Sequence, residues 1–439
     1  MSDLPRKTVA RTARLASLPL SFAGRATVGL GRRIGGAPAE AVATQLQQRT
    51  AEQLFRVLGE LKGGAMKFGQ AMSIFESALP ENMVAPYRAT LTALQDSAPP
   101  MPASLVQQVL ARELGADWRA LFASFDLDPA AAASIGQVHK AVWHDGREVA
   151  VKVQYPGAGD ALMSDLRQIG RAAWLFAGWI PGLDVGPLVV ELQERVAEEL
   201  DYDLEADAQT RFHEAFADHP DIVVPAVVHH SSRVLVSEWL DADRSLARLI
   251  ADGSKADRDR YGELYVRFLF SGPERAGLLH ADPHPGNFRI MRDGRVGVVD
   301  YGAVARLPES GLPSIIGELL TNAVRDDYEA VLAGLREAGF VKDSVRMEAD
   351  ELRAYLAPFI EPAATPQFTF SRAWMRGQFA RINDPRSPGY TTVLKINLPP
   401  EFLLIHRVWL GGIGVLSQLE AEAPFADILD EALPGFAPN

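Results

Sequence analysis

The most informative stretch of the chain reads LHADPHPGN at residues 279–287 and is followed by VVDYG at residues 298–302. Between these two segments, Asp293-Gly294 is a dipeptide that favours a two-residue β-hairpin turn. With that turn, residues whose numbers sum to 587 face each other across the strands, and Asn287 and Asp300 satisfy the sum. Their side chains are then expected about 5 Å apart. Because Mg²⁺ prefers oxygen ligands, a carboxylate and an amide oxygen at one strand end predict a magnesium site.

Asp282 could carry chemistry beside this site. It lies five residues before Asn287, which is the spacing between the base and the metal-binding asparagine in phosphotransferase catalytic loops. The alternative is an ordinary hairpin with polar ends. His280 and His284 suggest zinc, but such a site needs a third ligand at a recognisable spacing, and only Asp282 is near. We therefore expect His280 to orient the loop by hydrogen bonding.

A second signal is the run VAVKV at residues 149–153, which pairs with Val138–Trp143 across a turn at Asp145-Gly146. The three valines share one strand face, so Lys152 points to the other. A lysine held there needs negative charge, such as phosphate oxygens, although a solvated edge-strand lysine is the common alternative.

The residues upstream of this hairpin, Ala130–Gln137, form a predicted small-residue loop. Small side chains allow a close approach of the backbone to a nucleotide phosphate, and the P-loop pattern is missing. The residues expected at the phosphates are Ala131, Ala132, Ala133 and Ser134.

A third signal is an acidic stretch, Glu191–Asp207, which holds eight acidic residues and one basic residue, Arg195. It is predicted to lie within one helix at about 187–213, where Leu192, Val196, Leu200 and Leu204 form an apolar stripe. On this wheel Glu199 and Asp203 fall at the edge of the stripe, whereas Asp201 and Glu205 fall opposite. We expect at least one carboxylate to pair with Lys152, while a solvated face is the alternative for most of the others.

Composition limits the class of protein. The chain has 439 residues, is 47% hydrophobic and 23% charged, and contains no cysteine, which is globular composition and excludes disulfides and thiolate zinc sites. The net charge of −12 argues against nucleic acid as a partner. The best candidate for a membrane span, Ala172–Val190, is interrupted by Pro181, Gly182 and Asp184, so we expect no span.

The first 40 residues carry seven basic and two acidic side chains. They could form a basic amphipathic stretch that rests on anionic lipid, and a solvated terminus is the equal alternative. Beyond them the pattern predicts helices over 41–115, a strand-rich unit, and a largely helical remainder with a loop near 362–397. The predicted class is α+β.

The segment GGAMKFGQ at residues 63–70 places glycines inside a helical pattern, at a cost of about 1 kcal/mol each relative to alanine. Together with the other signals it resembles the UbiB/AarF family of atypical protein-kinase-like proteins, also called the aarF-domain kinases. The resemblance covers about residues 61–306. Its motifs are K-x-G-Q (Lys67, Gln70), the alanine-rich loop (Ala131–Gln137), the nucleotide-binding Lys152, E-x-D (Glu199, Asp201), the helix glutamate (Glu205), the catalytic loop (Asp282, Asn287) and D-F-G, here Asp300-Tyr301-Gly302.

The resemblance implies a two-lobed kinase-like fold. Its units would be a basic segment at 1–40, a helical extension at 41–115, an N-lobe at 116–240 and a helical C-lobe at 241–439. ATP and Mg²⁺ would be the cofactors, with Asn287 and Asp300 on the metal and Asp282 orienting the acceptor. Adenine would lie near Glu238 and Leu240, and Lys67 and Gln70 would reach the phosphates beside Glu199 and Asp201.

The resemblance also implies a role in isoprenoid-quinone lipid metabolism, through ATP binding and hydrolysis. We expect a cytoplasmic location, with peripheral contact at the inner face of the membrane and a lipid or quinone precursor as a further ligand. The tyrosine of D-Y-G is a mild departure from the family pattern. No A-P-E motif follows it, which argues against phosphorylation of proteins in trans. A small-molecule phosphotransferase and a non-catalytic ATP-gated adaptor remain alternatives, and a homodimer is left open.

Overall fold

The computed structural model describes residues 100–133, 135–160, 163, 185–307, 312–382, 384, 386–387 and 391–437. The expectations for the N-terminal 99 residues, including Lys67 and Gln70, lie outside this range. So does the expectation for Ser134.

The N-terminal part of the described chain is built on a five-stranded antiparallel sheet with the strand order β1-β2-β3-β6-β5. Its strands are β1 (Phe122–Ala133), β2 (Gly136–Trp143), β3 (Glu148–Gln154), β5 (Val227–Ser231) and β6 (Val234–Glu238). The predicted hairpin is confirmed, because β2 pairs with β3 and Val138 lies opposite Lys152.

The alternation of β3 separates a core face from a functional face. Val149, Val151 and Val153 are fully buried and form one apolar cluster with Val106 and Leu110 of α1. Helix α1 spans Ala103–Glu113. This packing leaves the intervening Lys152 on the opposite face of the sheet, as the period of two requires.

The alanine-rich segment is a strand where the sequence analysis predicted a loop. Ala131, Ala132 and Ala133 belong to β1 and pair with β2. Gly136 begins β2 and pairs closely with β3, since a Cβ on it would lie 2.3 Å from the carbonyl oxygen of Val153. Small side chains are thus compatible with close strand pairing, which is found here, as well as with the open loop that was predicted.

The acidic stretch forms two helices, not the single helix predicted. Helix α2 (Val185–Glu199) ends before Leu200, and α3 (Tyr202–Ala215) starts after Asp201, whose side chain caps it by accepting from the Asp203 N–H. Because of this break, the residues after Asp201 no longer fall on the faces that a continuous helix would give them. As a result Leu204, expected in the apolar stripe, is 36% exposed, whereas Glu205 is only 2% exposed.

The C-terminal part is mostly helical around a small sheet with the strand order β4-β10-β9-β7. The strands of this part are β4 (Ile222–Val223), β7 (Ala242–Ser245), β8 (Leu278–His280), β9 (Phe288–Met291), β10 (Val296–Val298), β11 (Val304–Arg306), β12 (Phe368–Thr369) and β13 (Glu422–Ala423). The helices are α4 (Leu246–Asp252), α5 (Lys255–Ala276), α6 (Leu312–Val324), α7 (Tyr328–Glu337), α8 (Ala349–Ile360), α9 (Arg372–Ile382), α10 (Leu403–Leu419) and α11 (Phe425–Ala432).

The hairpin between β9 and β10 has a register one residue away from the prediction. Paired residues sum to 586, as in Val298 opposite Phe288, because the loop has three residues and ends on Gly294 with φ +87°. Asn287 therefore lies beside Val299, not opposite Asp300. A slip of one residue reverses which face a side chain occupies, so the predicted cross-strand pair was wrong.

The core of the helical part lies around α5 and α10. The predicted loop at 362–397 was wrong in part, since α9 occupies Arg372–Ile382. Among the described residues, the stretch Pro400–Leu419 is long and apolar enough to cross a bilayer by length and composition, which was not expected from the sequence. It is 61% buried within the fold, and a core helix of a folded domain has the same properties.

Candidate active site

Lys152 lies at the centre of the candidate site. Its Nζ is 2.6 Å from Glu205 Oε1 of α3 and 3.2 Å from Asp300 Oδ1, which follows β10. The ring of Tyr202 lies beneath the ammonium at 5.1 Å. One side chain on the sheet thus contacts both the adjacent helix and the helical part of the chain. The expected pairing of Lys152 with a carboxylate of the acidic stretch is present at Glu205.

The protonation of Lys152 follows from these neighbours. Burial by itself would lower the pKa of the ammonium, but the charges of Asp300 and Glu205 outweigh burial and raise the pKa of Lys152. Burial raises the pKa of Glu205, and the ammonium works against that rise. The lysine is therefore an ammonium at neutral pH, ready to contact an anion.

Asp300 is held in an unusual backbone conformation. Its φ is +71°, in the left-handed region that costs most non-glycine residues about 1–2 kcal/mol. Its carbonyl accepts from His280 Nε2 at 2.9 Å, and its Oδ1 accepts from the Gly302 N–H at 3.2 Å. These contacts fix the direction of the carboxylate. The expectation that His280 orients the loop by hydrogen bonding agrees with this geometry, and burial lowers the pKa of His280.

The loop between β8 and β9 positions Asp282 and Asn287 through their mutual contact. Both are only 8% exposed, and the Asn287 amide donates to Asp282 Oδ2 at 2.9 Å. Tyr265 of α5 donates to the carbonyl of Pro283 at 2.7 Å, which anchors the loop between them. Because the Asn287 amide nitrogen donates its hydrogen bond to Asp282, the amide oxygen is the atom suited to bind a cation.

Sequence reasoning missed Arg407, which lies on α10. Its Nη2 donates to Asp282 Oδ1 at 2.7 Å, so each oxygen of Asp282 has a partner. The two residues are 125 positions apart, and no local spacing indicates the contact. One signal was available: Arg407 is the lone Asp, Glu, Lys or Arg side chain in the 17-residue helix, where an unpaired charge would be costly.

Several carboxylates converge on Gly302. A Cβ at this position would lie 3.3 Å from Asp300 Oδ1, from Glu205 Oε2 and from the Cγ of Glu199. Glu199 therefore approaches the D-Y-G segment. Mg²⁺ is usually bound by one or two protein side chains together with phosphate oxygens, so Asp300 and the amide oxygen of Asn287 fit the expected Mg²⁺ although the described residues contain no group of three protein ligands.

A zinc-type site is not found in the described part of the chain, where no group of three or more histidine, aspartate or glutamate residues could hold a metal. His284 accepts from the Gly286 N–H at 3.1 Å through Nδ1 and thereby caps the short turn at Pro285–Asn287. Burial lowers the pKa of this imidazole. The histidines of the loop act in its local structure.

The remaining predicted residues have contacts of their own in the described structure. Glu238 Oε2 accepts a hydrogen bond from the Ala226 N–H, and Glu238 Oε1 lies 3.8 Å from Arg147 Nη1. Leu240 packs on Gly297 of β10, where an added Cβ would lie 2.6 Å from its Cδ1. The segment from Glu238 to Leu240 thus joins the large sheet to the helical part. Ala131 and Ala132 are exposed, and Asp201 serves as the cap of α3.

A five-stranded sheet above a helical part, linked by a lysine–glutamate pair and a D-Y-G aspartate, defines the protein-kinase-like fold. The family model described as "ABC1 atypical kinase-like domain" matches residues 93–334. The chain belongs to this family, which includes relatives named UbiB and COQ8, and the resemblance inferred from the sequence is confirmed.

Individual relatives support this membership. The chain is 35% identical to the mitochondrial atypical kinase COQ8B of Rattus norvegicus, over 98% of this chain and 82% of that protein. It is 30% identical to the probable protein kinase UbiB of Cellvibrio japonicus, over 71% of this chain and 57% of the relative. A solved structure of Rv3197 with erythromycin, from Mycobacterium tuberculosis, is 41% identical, with a TM-score of 0.67, covering 91% of this chain and all of that one.

The match to several curated relatives is partial in length. A chloroplastic relative from Arabidopsis thaliana, ACTIVITY OF BC1 COMPLEX KINASE 1, is 29% identical over 86% of this chain but only 54% of its own length. The chain spans about half the length of the first curated relatives that it matches.

Proposed function

We propose that this protein is a Mg²⁺-dependent, ATP-binding atypical kinase or ATPase. The observation that carries the proposal is the position of Lys152, which contacts Glu205 and Asp300 at the same time. A buried ammonium between a helix carboxylate and a D-Y-G aspartate is suited to bind phosphate oxygens beside a metal ion. The membership of the kinase-like family supports the same chemistry.

Each side chain would have a distinct part in phosphoryl transfer. Lys152, held by Glu205, would donate to the α- and β-phosphates. Asn287 and Asp300 would hold Mg²⁺, which when bound neutralises charge on the β- and γ-phosphate oxygens. Asp282 would accept the proton of the acceptor hydroxyl or water and orient it. Catalysis would come mainly from positioning and charge neutralisation.

The nucleotide itself would lie between the sheet and the helical part. The adenine edge would meet the backbone at Glu238 and Leu240, because this segment joins the two parts. The alanine-rich turn, Ala131 to Ser134, would cover the phosphates with little side-chain bulk. Lys67 and Gln70, together with Glu199 and Asp201, would close the phosphate side of the site.

The acceptor is proposed to be a small molecule or water in a lipid pathway, and the relatives named UbiB and COQ8 suggest isoprenoid-quinone metabolism. The lack of an A-P-E motif argues against proteins as acceptors in trans. A lipid or quinone precursor as a further ligand, a cytoplasmic location and peripheral contact of the basic N-terminus with the inner face of the membrane belong to the same proposal.

The test is phosphate release from ATP by the full chain, with Mg²⁺ or EDTA and with or without anionic liposomes. The variants are Asp282→Asn and, as a matched control, Asp343→Asn, which changes an exposed aspartate away from the site. We expect Mg²⁺-dependent release that falls about 10²-fold or more in Asp282→Asn and is unchanged in Asp343→Asn.

Two results would count against parts of this proposal. Equal release by wild type and Asp282→Asn would refute catalysis through Asp282. Tight Mg–ATP binding without release under any condition would favour the non-catalytic adaptor over the enzyme.

A further inference from the structure

Arg289, the second residue of β9, carries a charge that no acidic side chain balances within the described part of the chain. Its side chain is partly buried, and among the residues that the structure describes its guanidinium has neither a hydrogen-bond partner nor an ion pair. Burial lowers the pKa of Arg289, and no nearby charge works against that change. Because arginine nevertheless stays protonated at neutral pH, the fold holds a cation whose burial is unfavourable without a partner.

The alternation of β9 places Arg289 on the face of the small sheet that is turned away from the core. Phe288 and Ile290 are buried in the core of the helical part, so Arg289 and Met291 occupy the other face. Gly297 of β10 pairs with Arg289. A Cβ added to Gly297 would lie 3.5 Å from Arg289 Cβ and 3.1 Å from Met291 Sδ. The three residues therefore border one spot on this face.

Leu240 reaches the same spot from the segment that joins the large sheet to the helical part. The Cβ added to Gly297 would lie only 2.6 Å from Leu240 Cδ1, and the backbone of Glu238 and Leu240 is the proposed site of adenine. Asn287, the proposed metal ligand, directly precedes β9, so Arg289 lies roughly 7 Å further along the strand. This position favours the base of the nucleotide, and not its phosphates, as the partner of the guanidinium.

We propose that Arg289 is a specificity-determining residue whose guanidinium stacks on the purine ring of the bound nucleotide. The inference rests on the proposed function and adds recognition of the base to it. A guanidinium is planar and weakly hydrated and stacks on aromatic faces, and the attraction of a cation to a π face grows when water is excluded. A purine on this face would lie against Leu240 and Met291 as well, and it would give the cation the partner that it lacks.

The lack of a partner in the folded chain separates this role from a purely structural one. Arg289→Met keeps an unbranched side chain of similar length and removes the charge. Without nucleotide this variant should unfold at the same temperature as wild type or at a higher one, because it relieves the burial of an unpartnered cation. Its affinity for Mg–ATP should nevertheless fall by about tenfold. An arginine that stabilised the fold through its own contacts would instead lower the unfolding temperature when replaced.

The experiment is calorimetric titration of Mg–ATP into the full chain, as wild type, as Arg289→Met and as Arg346→Met. Arg346 is 92% exposed, so its replacement is the matched control and should bind as wild type does. The second ligand is ribose 5-triphosphate with Mg²⁺, which has the phosphates of ATP but no base. We expect wild type and Arg289→Met to bind this second ligand equally, since the arginine contacts only the base. Thermal unfolding of the three proteins without ligand completes the test.

Three results would overturn the proposal while wild type still binds Mg–ATP and the proposed function stands. The first is wild-type affinity for Mg–ATP in Arg289→Met. The second is an equal loss of affinity for ATP and for ribose 5-triphosphate, which would indicate a phosphate contact. The third is a clearly lower unfolding temperature in Arg289→Met than in Arg346→Met, which would indicate a structural role. Failure of wild type to bind Mg–ATP would refute the proposed function, and this inference with it.

Discussion

Arg407 Nη2 lies 2.7 Å from Asp282 Oδ1, so a side chain from helix α10 holds the aspartate of the loop between β8 and β9. Asn287 donates to the other oxygen of the same carboxylate at 2.9 Å. Together the two contacts fix the rotation of Asp282. The helix that forms the core of the C-terminal part thereby supports the residue proposed to orient the acceptor.

The replacement Arg407→Gln should lower the rate of phosphate release and leave the apparent KM for ATP nearly unchanged. Without the arginine the carboxylate can rotate, and a displacement of about 1 Å can cost about 10²-fold in rate. Steady-state kinetics on the full chain measures both constants. Arg346→Gln, at a side chain that is 92% exposed, is the control, and an equal rate in both variants would contradict the positioning role.

The replacement Lys152→Met should destabilise the fold by about 3 kcal/mol, because it leaves Glu205 buried without its ammonium partner. The double variant Lys152→Met/Glu205→Leu should recover much of this loss, since it removes the buried charge as well. Urea unfolding measures the free energy of unfolding of each variant. Lys255→Met, which breaks an exposed pair with Asp259, should cost less than about 1 kcal/mol. A double variant as unstable as the single one would refute this explanation.

Acid should destabilise the wild type more than a His280→Asn variant. Burial lowers the pKa of His280 below its ordinary value of 6.5, so below about that pH the unfolded chain binds a proton that the folded imidazole does not. The stabilising contribution is therefore complete above pH 6.5 and is lost as the pH falls, by up to about 1.4 kcal/mol per pH unit.

Free energies of unfolding at several pH values between 5 and 8 test whether His280 causes this loss of stability in acid. Asparagine keeps an N–H donor but does not titrate, and the comparison near pH 8 corrects for any loss of packing. Parallel pH curves for the two proteins would contradict the assignment.

Two glycine variants should change stability in opposite directions. Gly136→Ala places a methyl group 2.3 Å from the Val153 carbonyl oxygen, and such crowding costs about 1–3 kcal/mol. Gly377→Ala lies inside helix α9 with no neighbour within 4 Å of the new carbon, so it should stabilise by up to about 1 kcal/mol. Thermal unfolding measures both, and destabilisation of similar size in both would be the contrary result.

Local patterns predicted the parts of the site that depend on local geometry. The alternation of valines fixed the direction of Lys152, and the turn at Asp145-Gly146 set the pairing of β2 with β3. The spacing of Asp282 and Asn287 corresponds to a direct contact in the structure. These relationships arise within a strand, a hairpin or a short loop, where sequence spacing determines distance.

Other features of the fold and the site are not determined by sequence spacing alone. The Asp293-Gly294 dipeptide favours a two-residue turn, but a three-residue loop with Gly294 at positive φ formed and moved the register by one. The acidic helix broke at Asp201 because that side chain prefers to cap a new helix. Arg407 reaches Asp282 through tertiary packing, which no local pattern contains.

The most direct test of the central claim is calorimetric titration of ATP into the full chain with Mg²⁺ and, separately, with EDTA. The account predicts a saturable heat with Mg²⁺ that disappears with EDTA and in Asp300→Asn, while Asp343→Asn keeps it. The absence of Mg²⁺-dependent heat in wild type, or the same heat in Asp300→Asn, would contradict the account.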